Sequence, residues 1–331
     1  MRSCAARLLV AAFCGTALAA DRLPGYDADA ARFTASGVSS GGYMAVQVQV
    51  AHSSRVRGVA AIAAGPYYCA QGSLWTATQS CMKPSAWAPL PALPVLQTHA
   101  ERLSREGAID RTSNLPGTRV WLFSGTRDET VTAEVVDALR AFYASYAAAV
   151  VHVRDKPAGH AMVTEAAGSA CAATAPPFIN DCDYDAAGEL LRHLLGSLAP
   201  PAAKPAGRLL AFDQREFADT HAISMGDSGY AYIPDACDAQ PCKVHVAFHG
   251  CRQGAEAVGE RFVRDAGYNR WADTNRLIVL YPQAIARTWW VYNPRGCWDW
   301  WGYTGARYAT KEGAQIRAVL GMVERLGRVR K

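Results

Sequence analysis

Beyond its N-terminal stretch the chain has no apolar run of about eighteen residues, so none of it is built to cross a membrane as a helix. It has no H-E-x-x-H helix and no tight C-x-x-C pair, which leaves no recognisable site for zinc, and no metal or other cofactor is expected. It has no internal repeat and no low-complexity tract, which argues against a solenoid or a disordered chain. Charge is sparse as well. Only 19% of residues are charged and the formal net charge is +5, or +3 without Arg2 and Arg7. So small and dispersed a charge excludes nucleic acid as an expected partner.

What is present begins with an export signal. Arg2 and Arg7 form a basic start, Leu8 to Phe13 is apolar, and Ala17-Leu18-Ala19 offers a cleavage site, so residues 1–20 read as a signal peptide. Residues 21–331 are then a single catalytic domain, long enough for one large core. Its eight cysteines are an even number in an exported chain, which suggests disulfides and a secreted or periplasmic location. Proximity pairs Cys69 with Cys81, Cys171 with Cys182, and Cys237 with Cys242. Cys251 and Cys297 remain for each other.

The strongest chemical signal is Gly37-Val38-Ser39-Ser40-Gly41, a G-x-S-x-G nucleophile elbow. A short strand pattern precedes it and a helix pattern opens at Gly41, which is the context the motif needs. The elbow strains the serine backbone, and side chains two residues to either side would collide. Ser39 has glycine at both of those positions and Ser40 does not, so Ser39 is the candidate nucleophile. The acid and then the histidine should follow. Asp128 lies on the loop after the apolar strand Val120–Ser124, with Glu129 as its weaker competitor. His160 lies on a glycine-containing loop after the strand Val150–Val153. His152 reads as structural, and His249 as a residue that orients the loop carrying Cys251.

Strand-like and helix-like segments alternate along the chain, which points to an α/β fold with a mainly parallel sheet flanked by helices. His249-Gly250-Cys251 is a turn of the kind that supplies oxyanion N–H groups, yet it lies far downstream of the elbow. In an α/β-hydrolase that turn ordinarily precedes the elbow. A circular permutation accounts for the order, with its joint in the proline-rich stretch near 199–208. Strands near 209–212, 229–233 and 244–248, a helix over 255–275, a strand at 277–281 and a helix over 311–326 would then form the front of the sheet. Residues 69–115 read as a long excursion pinned by a disulfide. Five of the nine tryptophans fall between 289 and 301, in a loop next to the oxyanion turn, and they suggest an apolar substrate groove.

Gly37-Val38-Ser39-Ser40-Gly41-Gly42-Tyr43-Met44, Gly159-His160, His249-Gly250-Cys251 and Asn293-Pro294-Arg295-Gly296-Cys297-Trp298-Asp299-Trp300 together resemble secreted polyhydroxybutyrate depolymerases of the circularly permuted, single-domain type. The resemblance runs over essentially the whole mature chain. It implies a circularly permuted α/β-hydrolase fold and hydrolysis of poly(3-hydroxybutyrate) or its oligomers. It implies a triad of Ser39, Asp128 and His160, with oxyanion donors at the Ser40 and Cys251 backbone N–H groups. It also implies a groove aromatic after Cys297, for which Trp300, Trp301 and Tyr303 are the candidates. The expected partner is a polyester or hydroxyalkanoate oligomer, met by a monomer. Another exported carboxylesterase of feruloyl or acetylxylan type would use the same triad. A non-catalytic protein that binds polymer or carbohydrate is the remaining alternative.

Overall fold

The computed structural model describes residues 20–330. The signal-peptide reading and its cleavage site fall on residues 1–19, outside the described residues. Eight strands form the main sheet: β1 (Phe33–Val38), β2 (Val56–Ile62), β3 (Arg119–Phe123), β4 (Ala149–Val153), β8 (Arg208–Asp213), β9 (Ser228–Ile233), β10 (Lys243–Phe248) and β11 (Leu277–Tyr281). Three short strands, β5 (Met162–Thr164), β6 (Ser169–Ala170) and β7 (Ile179–Asp181), form a separate small sheet. The helices are α1 (Ser40–Ala51), α2 (Leu74–Gln79), α3 (Leu93–Arg105), α4 (Ala133–Ala144), α5 (Ala186–Leu195), α6 (Ala255–Val258), α7 (Arg261–Asp265), α8 (Tyr268–Thr274) and α9 (Ala314–Leu326).

The main sheet runs in the order β4-β3-β2-β1-β10-β11-β9-β8. Six strands are parallel, and β9 and β8 continue the sheet antiparallel. A parallel sheet is covered by helices on both faces, so its strands read as unbroken apolar runs rather than alternations. β1 and β11 are buried at every position for that reason. Each fully buried Val, Leu or Ile contributes about 1.5–3 kcal/mol relative to exposure.

β1, near the start of the chain, lies between β2 and β10, with Ala35 opposite both Val59 and Val246. Late and early segments therefore meet at the centre of the sheet. This is an α/β-hydrolase sheet with permuted connectivity: β10, the strand that leads into the His249-Gly250-Cys251 turn, enters from the C-terminal half. Residues 199–207 connect α5 to β8 along α8. Thr274 Oγ1 donates to Pro200 O at 2.8 Å, and Asp273 accepts the Ala206 and Gly207 N–H groups.

One local expectation changes. The single helix over 255–275 is three short ones, because Gly259 and Gly267 sit at φ +61° and +92°, where a right-handed helix cannot continue. The excursion at 69–115 carries α2 and α3, and the Cys69–Cys81 bond closes its start. Among the described residues no helix is long and apolar enough to cross a membrane.

Candidate active site

The elbow is strained as its sequence requires. Ser39 sits at φ 56°, ψ −124°, between β1 and α1. A Cβ on Gly37 would lie 2.2 Å from Gly41 O, and one on Gly41 would lie 2.4 Å from Phe248 O and His249 O. The two glycines thus let β1, α1 and the β10 exit pack at backbone distance. The Ser39 N–H donates to Ile62 O at 2.8 Å, which anchors the turn to β2. Ser40 opens α1, where a backbone N–H has no partner within the helix.

Asp128 follows β3 and is 9% exposed. Its Oδ1 accepts the Thr130 and Val131 N–H groups at 2.8 and 2.9 Å. Its Oδ2 lies 2.8 Å from His160 Nδ1. His160, on the segment after β4, also donates its backbone N–H to Thr174 Oγ1 at 2.9 Å. A cavity of about 360 Å³ is lined by both Ser39 and His160. The structure gives Glu129 no hydrogen bond to His160, whereas Asp128 makes one.

The opposite wall comes from the C-terminal half. Gly250 and Cys251 line the same cavity, directly after β10. Gly250 N–H donates to Gln253 Oε1 at 2.6 Å, and Arg252 N–H donates to Arg295 O at 2.7 Å. Between them, the Cys251 N–H meets no protein acceptor among the described residues. The loop has a buried support. His249 Nε2 lies 3.0 Å from the Ala284 N–H, which can only donate, so Nε2 accepts and Nδ1 carries the proton toward Gly250 O at 2.7 Å. Burial holds the His249 pKa down at about 4, so the ring stays neutral.

The four disulfides pair Cys69–Cys81, Cys171–Cys182, Cys237–Cys242 and Cys251–Cys297. The last ties the Gly250–Cys251 turn to the tryptophan-rich segment. Trp300 and Trp301 line the cavity, and Trp300 stacks on Tyr43 of α1 at 4.0 Å between ring centroids. Tyr303 does not line it. Its ring packs behind Trp301, and its hydroxyl donates to Cys297 O at 2.7 Å. Trp298 is fully buried against Phe248 and His249. The buried carboxylate of Asp299 shapes this turn by accepting the Gly302, Tyr303 and Thr304 N–H groups at 2.7, 3.0 and 2.8 Å. Trp289 and Trp290 point outward at 82% and 101% exposure.

Three contributors were not singled out in the sequence. Gln253 also donates to Phe178 O at 2.7 Å, which couples the Gly250 turn to the segment after β6. Leu74 and Met82 reach the cavity from the excursion pinned by Cys69–Cys81. The one available signal for Gln253 was an uncharged polar residue two places past a cysteine thought to be bonded.

This chain is similar to proteins already described. A poly(3-hydroxybutyrate) depolymerase of Delftia acidovorans is 44% identical over 320 residues, 94% of this chain. This chain spans 63% of that relative's length. A polyhydroxybutyrate depolymerase of Talaromyces funiculosus is 35% identical over 327 residues, 93% of each chain. Two solved structures superpose with a TM-score of 0.83 and 33% identity over 92% of this chain and 98% of theirs. One is a PHB depolymerase from Penicillium funiculosum. The other is a PHB depolymerase with a serine replaced by alanine, complexed with an R3HB trimer. No family model matches the chain.

Proposed function

The chain belongs to the polyhydroxybutyrate depolymerase family, and from that premise we propose that it is a serine esterase that hydrolyses poly(3-hydroxybutyrate) or its oligomers. Ser39 Oγ attacks the ester carbonyl while His160 takes its proton. Asp128 keeps the imidazole in the tautomer with Nδ1 protonated and stabilises the imidazolium. The tetrahedral oxyanion accepts from the Ser40 and Cys251 N–H groups, each such donor contributing roughly 3 kcal/mol. Collapse expels the alcohol, protonated by His160, and leaves an acyl-Ser39 ester. Water, deprotonated by His160, then releases the hydroxy acid.

One observation carries the reading. The elbow serine, an imidazole bonded to a buried carboxylate and the unpartnered Cys251 N–H all converge on one largely apolar cavity. The likeness to a depolymerase complexed with an R3HB trimer supports an oligomer as the substrate. Exposed Leu74 and Tyr292 at the cavity give it an apolar edge suited to a polyester chain. Four disulfides suit an oxidising compartment and support export.

The test is hydrolysis of amorphous polymer, 3-hydroxybutyrate trimer and a feruloyl ester in parallel, with Ser39→Ala as control. Release of 3-hydroxybutyrate by the parent protein alone is expected. Rapid cleavage of the feruloyl ester with an untouched trimer would overturn the reading.

A further inference from the structure

The charged side chains that line the active cavity beside His160 are Arg252 and Arg295, and no carboxylate lines it among the described residues. Both arginines are exposed, and neither forms an ion pair among the described residues. The nearest acid in the neighbouring recess is Glu256, which shares that recess with both of them. Its Oε2 instead accepts the Ala286 N–H at 3.1 Å. Two unpaired guanidiniums on the wall of a site that makes carboxylic acids need a chemical account.

Their backbones are held in place. Arg252 follows the Cys251 donor and sits at φ 57°, a conformation uncommon for a residue with a side chain. Its N–H is bonded to Arg295 O at 2.7 Å. The Cys251–Cys297 disulfide brackets the same pair of loops. The Arg252 guanidinium lies over the ring of cavity-lining Phe178, 5.2 Å from its centroid. Both arginines therefore sit on one pair of loops at the cavity, and the contact with Phe178 places the Arg252 charge there.

The chemistry of the substrate says which side. A hydroxyalkanoate oligomer has a free hydroxyl at one end and a carboxylate at the other. Whichever ester bond is cut, the acyl portion on the serine keeps the hydroxyl end. The departing alcohol keeps the carboxylate end. Before the bond is cut, an anion-binding wall can therefore serve only the portion that will leave.

We infer that Arg252 and Arg295 form a carboxylate subsite for the free carboxyl terminus of a hydroxyalkanoate oligomer, on the leaving-group side of the cavity. The pair orients the chain and favours bonds close to that terminus. A guanidinium fork matches a carboxylate in two parallel hydrogen bonds. This inference rests on the depolymerase reading above.

The experiment compares 3-hydroxybutyrate trimer as the free acid with its methyl ester. Active enzyme is counted by titration with a serine-directed phosphonate. The parent protein should prefer the acid by about two- to fivefold in kcat/KM, the upper range of an exposed ion pair. The preference should reside in KM, because the contact is present before and during reaction alike. It should shrink as ionic strength is raised. In Arg252→Gln/Arg295→Gln the ratio should fall to about one, whereas Arg252→Lys should keep part of it. Equal rates for acid and methyl ester in the parent protein would overturn the subsite. So would an undiminished ratio in the double variant. Cleavage of neither trimer by phosphonate-titrated protein would remove the depolymerase reading itself, and the subsite with it.

Discussion

The two halves of the chain contribute different things to one cavity. The first half, through α5, carries Ser39, Asp128 and His160, the groups proposed to make and break bonds. The second half, from β8 onward, carries Gly250, Cys251, Trp300 and Trp301, which line the cavity, and of these Cys251 has a backbone N–H with no protein acceptor among the described residues. The first set depends on side-chain chemistry at a few positions. The second depends on where a backbone is held, by the Cys251–Cys297 bond, by His249 and by Gln253. Damage in the first half should therefore remove turnover and spare the fold, and damage in the second should lower both.

The largest expected effect is Ser39→Ala. Turnover should fall by about six orders of magnitude, as when a serine nucleophile is removed elsewhere, with the melting temperature retained. A variant that melts many degrees lower would blur the contrast between the halves. Asp128→Asn comes next, with turnover down by about four orders of magnitude because the imidazole tautomer is lost. Glu129→Gln should stay close to the parent rate. The reverse pattern would move the acid by one position.

The second half is probed by Cys251→Ser/Cys297→Ser. That disulfide closes 46 residues, and chain entropy alone gives on the order of 4 kcal/mol. Cys237–Cys242 closes 5, for about 2 kcal/mol by the same rule. Denaturant titration should rank them so, and only the first loss should also slow turnover. Equal turnover in the two double variants would mean that the covalent tie does not position the Cys251 N–H.

The smallest effect is in pH. Burial holds His249 at about 4 and His245 at about 3, against 6.5 when exposed. Below pH 6.5 the unfolded chain takes up protons that the folded chain refuses. Stability is thus full above pH 6.5 and falls toward pH 4, by up to about 1.4 kcal/mol per pH unit for each histidine. His249→Gln should flatten that slope by one histidine's share in urea titrations. An unchanged slope would show that His249 is not the neutral support described.

Much of this was legible in the sequence. Gly37 and Gly41 announce the elbow because a Cβ at either would strike backbone about 2.2 to 2.4 Å away. The apolar run of β11 fits a sheet covered on both faces, whereas β1 reads as an alternating strand although every one of its residues is buried. The small sheet was not legible, because strands of two or three residues carry no periodicity. Gln253 and the Tyr43–Trp300 stack were also hidden, since their partners lie far away in sequence.

The tryptophan-rich segment draws the line. Composition alone marked 289–303 as an aromatic loop beside the Cys251 turn. It could not say which rings turn inward, since Trp290 and Trp300 are the same residue type in one short stretch. Asn293 and Asp299 decide that. Asn293 Oδ1 accepts the Cys297 N–H at 2.9 Å, and Asp299 gathers the N–H groups that follow Trp301. Those bonds bend the chain after Cys297 back onto α1, where Trp300 meets Tyr43. Local rules were enough for the elbow at Ser39, the sheet and three of the four cysteine pairs, because each rests on backbone sterics, burial or proximity along the chain; the fourth pair followed by elimination. The cavity walls, the freedom of the Cys251 N–H from any protein acceptor and the place of the arginine pair were decided only when the permuted sheet set the last third of the chain against the first, because each of those contacts joins residues that no local rule connects.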